Sequence, residues 1–191
     1  FICRDISTRR DVKYNAGHSD DSIVTAIDTT LKGKSILSGS SLGTLTLVDL
    51  DCPEISQTLA KTESGVGIRF VCVLGDDERF VFVDEENRIE LRNFDDSETG
   101  IELDQLDARI TCITALGSNY ILLGCDDGKL LWFYLNNTSP CEFQAHSEAI
   151  SQVRGDLEDP LCRFVSGSIS GSVKLWNVEK NLSTLMWSYD N

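Results

Sequence analysis

The chain has 191 residues, enough for one ordinary domain, and its 41% hydrophobic and 25% charged content is a globular rather than a disordered balance. Lys and Arg number 17 against 31 Asp and Glu, a net charge of −14, which opposes non-specific nucleic-acid binding, favours solubility and suits basic partners. No run of roughly eighteen apolar residues offers a membrane-spanning helix, and no basic segment leads into an apolar stretch as in a signal peptide.

In chain order, Phe1–Ile6 and Asp11–Asn15 read as two short strands. The next segment, 17–64, carries Val24-Thr-Ala-Ile27, Ile36-Leu-Ser-Gly-Ser40, Thr44–Asp49 and a weaker strand at Ile55–Ala60. Residues 65–106 repeat the pattern with Ile68–Val73, Arg79–Val83, Arg88–Arg92 and Ile101–Leu106. Residues 107–145 do so with Ile110–Ile113, Tyr120–Leu123, Lys129–Phe133 and Glu142–Ala145. Residues 146–191 give Ile150–Val153, Phe164–Ser168, Val173–Asn177 and Ser183–Tyr189. Each run is short, rich in β-branched or aromatic residues and bounded by polar turns, which predicts strands in meanders. The three prolines, Pro53, Pro140 and Pro160, fall in predicted loops, where no ladder donor is lost.

The turn residues Gly43, Asn87, Gly128 and Gly171 follow one another at spacings of 44, 41 and 43. Two copies open on Gly17-His18 and Ala145-His146, and the last ends Leu175-Trp176-Asn177. A period near 43 with a Gly-His start and a Trp-Asp-like end resembles the WD40 repeat of β-propellers. The resemblance covers nearly the whole chain. It implies an all-β propeller of about four four-stranded blades, with 1–16 as the end of a preceding blade. The first residue is Phe rather than Met, and an excerpt of a larger ring is expected. An open arc would also leave unpaired strand edges.

His18 and His146 are the residues most suited to catalysis by type, yet both occupy the repeat's Gly-His position. The resemblance gives that His a structural network with a Ser or Thr, an Asp and a Trp. Here the network residues are His18 and Ser38 in one copy and His146, Ser166 and Trp176 in the last, where Ser170 stands at the Asp position. Other copies place Leu123, Phe133 and Arg92 where network residues belong, so apolar packing must do more of the holding. Seven cysteines, at 3, 52, 72, 112, 125, 141 and 162, include no C-x-x-C pair, and Cys72, Cys112 and Cys125 fall inside apolar strands. This is the usage of reduced, intracellular protein, cytoplasmic or nuclear. No zinc-ligand spacing, phosphate loop, dinucleotide fingerprint or hydrolase elbow appears, so neither catalysis, metal nor cofactor is expected.

Consecutive carboxylates in turns normally mark solvated surface. Asp84-Glu-Glu86 and Asp126-Asp127 differ, because they occupy the same turn in adjacent copies. Five carboxylates are expected on one rim, suited to a segment bearing Arg or Lys. The resemblance assigns further positions to this top face: Ile23, Thr25 and Ser41; Gly67, Arg69 and Glu85; Arg109, Thr111 and Asp126; Ala149, Ser151 and Ile169. A one-residue register slip would instead bury Ile23. The expected function is a non-catalytic scaffold or adaptor that presents this acidic face, including Glu86 and Asp127, to a basic protein segment, with no direct nucleic-acid or membrane partner. The alternatives are a regulatory propeller within a larger protein, such as an apoptosome-type ATPase sensor, or an adaptor subunit of a histone- or arginine-modifying complex.

Overall fold

The computed structural model describes residues 2–5, 10–13, 18–19, 21–52, 56–96, 100–103, 107–135, 139–155, 163–179 and 182–189. Among them every element is a strand except one short 3-10 turn at Glu63–Gly65, and no helix is long and apolar enough to cross a membrane. Strands β1 (Ile2–Asp5) and β2 (Arg10–Lys13) form an antiparallel pair, with Ile2 opposite Lys13. Four antiparallel meanders follow. The first is β3 (Val24–Thr29), β4 (Ser35–Ser40), β5 (Thr44–Asp49) and β6 (Ser56–Lys61); the second is β7 (Ile68–Val73), β8 (Arg79–Asp84), β9 (Ile89–Asn93) and β10 (Ile101–Leu103). The third is β11 (Ile110–Leu116), β12 (Tyr120–Cys125), β13 (Lys129–Tyr134) and β14 (Cys141–Gln144), and the fourth β15 (Ile150–Gly155), β16 (Arg163–Ser168), β17 (Val173–Glu179) and β18 (Leu182–Tyr189). The inner strands run two to three residues past their expected ends in three sheets, and residues 104–106 of the expected fourth strand lie outside the described set.

The repeat's turn residues have a backbone reason. Gly43, Asn87, Gly128 and Gly171 take φ of 74°, 62°, 81° and 88°, the left-handed region that Gly enters freely and Asn tolerates. The 43-residue period is therefore partly a period of tight hairpins between the second and third strands.

The sheets stand side by side through their first strands, β3 beside β7, β7 beside β11 and β11 beside β15. Apolar layers lie between sheets rather than within them. Leu37 and Leu45, with Leu47 partly buried, face Ile68, Val71, Val73, Phe80 and Phe82 of the second sheet. Val81, Ile89 and Leu91 of the second sheet face Ile110, Ile113, Ile121, Leu123 and Phe133 of the third. Leu122, Leu130 and Trp132 of the third face Ile150, Val153, Phe164 and Trp176 of the fourth. A middle sheet covered on both faces needs an unbroken apolar run, and β8 (Arg-Phe-Val-Phe-Val-Asp) and β12 (Tyr-Ile-Leu-Leu-Gly-Cys) are such runs. Each fully buried aliphatic side chain contributes about 1.5–3 kcal/mol, so these layers outweigh the few side-chain hydrogen bonds. In the fourth sheet the pattern changes: β16 alternates, with Phe164 and Ser166 buried and Val165 exposed.

Candidate functional site

A cavity of about 560 Å³ lies along the four first strands and is lined by side chains from each, including Asp28, Arg69, Cys72, Thr114 and Arg154. At one end the residue preceding each first strand is tied to the residue following each second strand. Ser41 N donates to Ile23 O at 2.8 Å, Glu85 N to Gly67 O at 2.9 Å, Asp126 N to Arg109 O at 3.0 Å and Ile169 N to Ala149 O at 3.0 Å. These four pairs take in positions grouped by the repeat register and form a rim at one end of the first strands, with charged members in the middle sheets and apolar members at either side. Ile23 precedes β3 and is 71% exposed, and Ile169 is 67% exposed, so the register that would bury Ile23 is not adopted.

The residues expected beside them occupy a common backbone feature. Each first strand carries a bulge after its first residue, and the extra residue is Thr25, Arg69, Thr111 or Ser151. A bulge re-aims its side chain. Thr25 Oγ1 donates to Ile68 O of the next sheet, the Arg69 guanidinium to Ile110 O, and Thr111 Oγ1 to Ile150 O at 2.6 Å. Three successive junctions are thus stitched by side chains assigned from the repeat to partner binding. Arg69 also donates to Asn87 Oδ1 at 2.9 Å. Burial, then the Arg109 cation, lower its pKa, while Glu85, Asp84 and Asp126 oppose them; the charged groups of both middle sheets share one field.

The carboxylate cluster is smaller than expected. Asp84 is buried, 2% exposed, and accepts hydrogen bonds from Glu86 N and Arg88 N at 2.8 and 2.9 Å. It closes its own turn and does not reach the rim, because an Asp can bond backbone amides two residues on. Glu86 pairs with Arg88 at 2.7 Å, and Asp127 lies 3.9 Å from Lys129. Glu85 and Asp126 are exposed and make no ion pair among the described residues. Arg109 N donates to Asp126 Oδ1 at 3.3 Å, which holds that carboxylate at the rim.

His146 is 3% exposed. Its Nε2 lies 2.7 Å from Ser166 Oγ and its Nδ1 2.7 Å from Ser172 Oγ, and Trp176 Nε1 donates to Ser166 Oγ at 2.8 Å. Ser172, rather than Ser170, meets the imidazole; Ser168 Oγ lies 2.7 Å from both Ser172 Oγ and Ser170 Oγ. Ser170 is linked to His146 through this relay of Ser168 and Ser172. His18 is half-buried, 3.0 Å from Ser38 Oγ and 3.5 Å from Thr46 Oγ1, a looser version without an indole. Burial pushes the Cys72 thiol up to about 12, and burial followed by the nearby Asp127 and Asp126 carboxylates pushes Cys125 up to about 12. Neither is a thiolate at neutral pH, so neither is an activated nucleophile.

Four meander sheets set side by side around a common channel, with hairpins and bulges in phase, define the blades of a β-propeller. Residues 137–177 match the family model WD40, described as WD domain, G-beta repeat, and the chain has the β-propeller fold. It is similar over its whole length to the crystal structure of the Cps50 (Swd1) β-propeller domain of Myceliophteria thermophila, with a TM-score of 0.74 and 14% identity, and spans 64% of that chain. It is also 29% identical over 84 residues to a p21-activated protein kinase-interacting protein 1-like protein of Danio rerio; the match takes in 44% of this chain and 23% of the relative's length. Propellers of this type are generally protein-interaction scaffolds.

Proposed function

We propose that the chain is a non-catalytic scaffold whose rim takes an extended basic segment of a protein partner, with Glu85 and Asp126 as its two anchors. The observation that carries this reading is the difference within the carboxylate cluster. Asp84 is buried, Glu86 and Asp127 have basic neighbours, and Glu85 and Asp126 alone of the five are exposed without an ion pair among the described residues. They occupy equivalent positions in adjacent blades, so a strand-like peptide can meet both. Charge-assisted bonds to Arg or Lys suit them, and exposed Ile23 and Ile169 supply apolar contact at either side. The similar Danio rerio protein is named for its interaction with a protein kinase, in keeping with a protein partner. The cytoplasm or nucleus is the proposed location.

The test is binding of Arg- and Lys-rich peptides to wild type and to the Glu85→Lys, Asp126→Lys double variant at two salt concentrations. Wild-type affinity falls with salt, because exposed pairs are screened over about 8–10 Å at physiological strength. The double variant associates more slowly while its dissociation changes less, since rim charges mainly steer encounter. Equal binding by both proteins at low salt, with unchanged melting, shows the carboxylates to be solvated surface only.

A further inference from the structure

Of the four residues that precede the first strands, Ile23, Gly67, Arg109 and Ala149, only Gly67 has no side chain. Its backbone does not call for glycine, because its φ lies outside the left-handed region that Gly43, Gly65 and Gly128 occupy. Space does. A Cβ on Gly67 would meet the Ser41 carbonyl oxygen at 2.9 Å and the Glu85 carboxyl carbon and Oε1 at 3.1 Å each. The bare Cα therefore lets a backbone carbonyl of the first blade and a carboxylate of the second converge on one point of the rim.

Neither acceptor has a donor among the described residues. In the neighbouring blades the side chain after the second strand turns back onto the amide before the first: Ile23 N donates to Ser41 Oγ at 3.0 Å and Arg109 N to Asp126 Oδ1 at 3.3 Å. Glu85, longer than either side chain, makes no such bond with the Gly67 amide. Arg69 shares an electrostatic field with Glu85, but its guanidinium is committed to Asn87 Oδ1 and Ile110 O. The Ser41 carbonyl accepts no hydrogen bond among the described residues. Two oxygens that accept only, one of them charged, are thus held together facing solvent, an arrangement completed by a cation with several N–H groups.

Resting on the proposed reading of the rim, we infer that this junction of the first two blades is a socket for one arginine side chain of the partner segment. The guanidinium gives a pair of N–H groups to the Glu85 carboxylate and a further one to Ser41 O, from a fixed planar fork. An ammonium is a compact, strongly hydrated point charge and lacks the spread to do both. Ile23 and Leu42, 71% and 43% exposed, flank Ser41 through its hydrogen bonds and along the chain, and give the arginine stem an apolar wall. Asp126 is different in kind. Its carboxylate is tied to Arg109 N and lies beside the exposed Arg109 cation, so it steers positive charge without distinguishing Arg from Lys.

The experiment titrates hexa-arginine and hexa-lysine, peptides of equal charge, into wild type, Glu85→Gln and Asp126→Asn by calorimetry, with the backbone amides followed by NMR. Wild type binds hexa-arginine about ten-fold more tightly than hexa-lysine, the worth of one further charge-assisted hydrogen bond. Asp126→Asn weakens both peptides and keeps that ratio, whereas Glu85→Gln brings it close to one. Hexa-arginine shifts the Leu42 amide, whose peptide group carries the Ser41 carbonyl, in wild type and not in Glu85→Gln. Gly67→Ala, which forces the two acceptors apart at unchanged net charge, also lowers the ratio; where it melts early, Glu85→Gln carries the test. Equal affinity for the two peptides in wild type, both weakened in the Glu85→Lys, Asp126→Lys variant, overturns the socket and leaves the acidic rim standing. A ratio that survives Glu85→Gln, or that Asp126→Asn abolishes, overturns the socket as well. Absence of binding by either peptide overturns it together with the reading of the rim.

Discussion

Replacing His146 with Ala tests whether the fourth blade is held by its polar network or merely decorated by it. The imidazole is 3% exposed and lies 2.7 Å from each of two serine hydroxyls. Truncation removes both bonds, at about 1 kcal/mol each, and opens a ring-sized void. The serines are not orphaned, because Ser166 keeps the Trp176 N–H and Ser172 keeps Ser168. That limits the total loss to about 2–3 kcal/mol, or roughly 5–10 °C in melting temperature for a chain of this size. Thermal and urea unfolding followed by circular dichroism give the number. A double-mutant cycle with Ser172→Ala isolates the shared bond, expected at about 1 kcal/mol of coupling. A loss below about 0.5 kcal/mol, the range of inert surface changes, refutes the structural assignment. An unchanged melting temperature combined with lost partner binding refutes it more sharply, since it makes His146 a contact residue.

Burial holds the His18 pKa below its ordinary 6.5. Just under pH 6.5 the folded state therefore binds fewer protons than the unfolded one, so stability is complete above 6.5 and declines as pH falls towards the folded pKa. Urea midpoints across that window show the decline in wild type and a flatter profile in His18→Gln; parallel profiles exclude His18 as the source. Alkylation of the native protein at mildly alkaline pH labels exposed Cys52 within minutes and spares Cys72 and Cys125, whose thiols are held at about 12, until denaturant is added. Rapid native labelling of Cys72 would mean that the layer between the second and third blades opens.

Most of the architecture could be read from the period. Strand content, the phase of the hairpins and the role of Gly43, Asn87, Gly128 and Gly171 follow from short-range rules: alternation of side chains, turn chemistry and the backbone freedom of glycine. These are local, and a 43-residue repeat states them four times. The placement of Ile23 and Ile169 on the exposed rim followed from the same register. So did the meeting of His146, Ser166 and Trp176, because three residues in fixed phase of one blade must converge if the blade forms at all.

What the chain could not announce depends on contacts between repeats. Thr25, Arg69, Thr111 and Ser151 share no chemistry that marks them as a set; only the bulges turn the first three towards the next blade's carbonyl, and a bulge is set by the pairing of two strands. Asp84 looks like Glu85 and Glu86 in sequence, yet two backbone amides and burial take it off the rim. The choice of Ser172 over Ser170 as the partner of His146 depends on the tight turn between them, where Gly171 takes a φ of 88°. The exposure of Val165 on β16 is least visible of all. It is as apolar as the buried Leu122 of β12, and exposure is a property of what stands opposite a side chain, which no local pattern encodes.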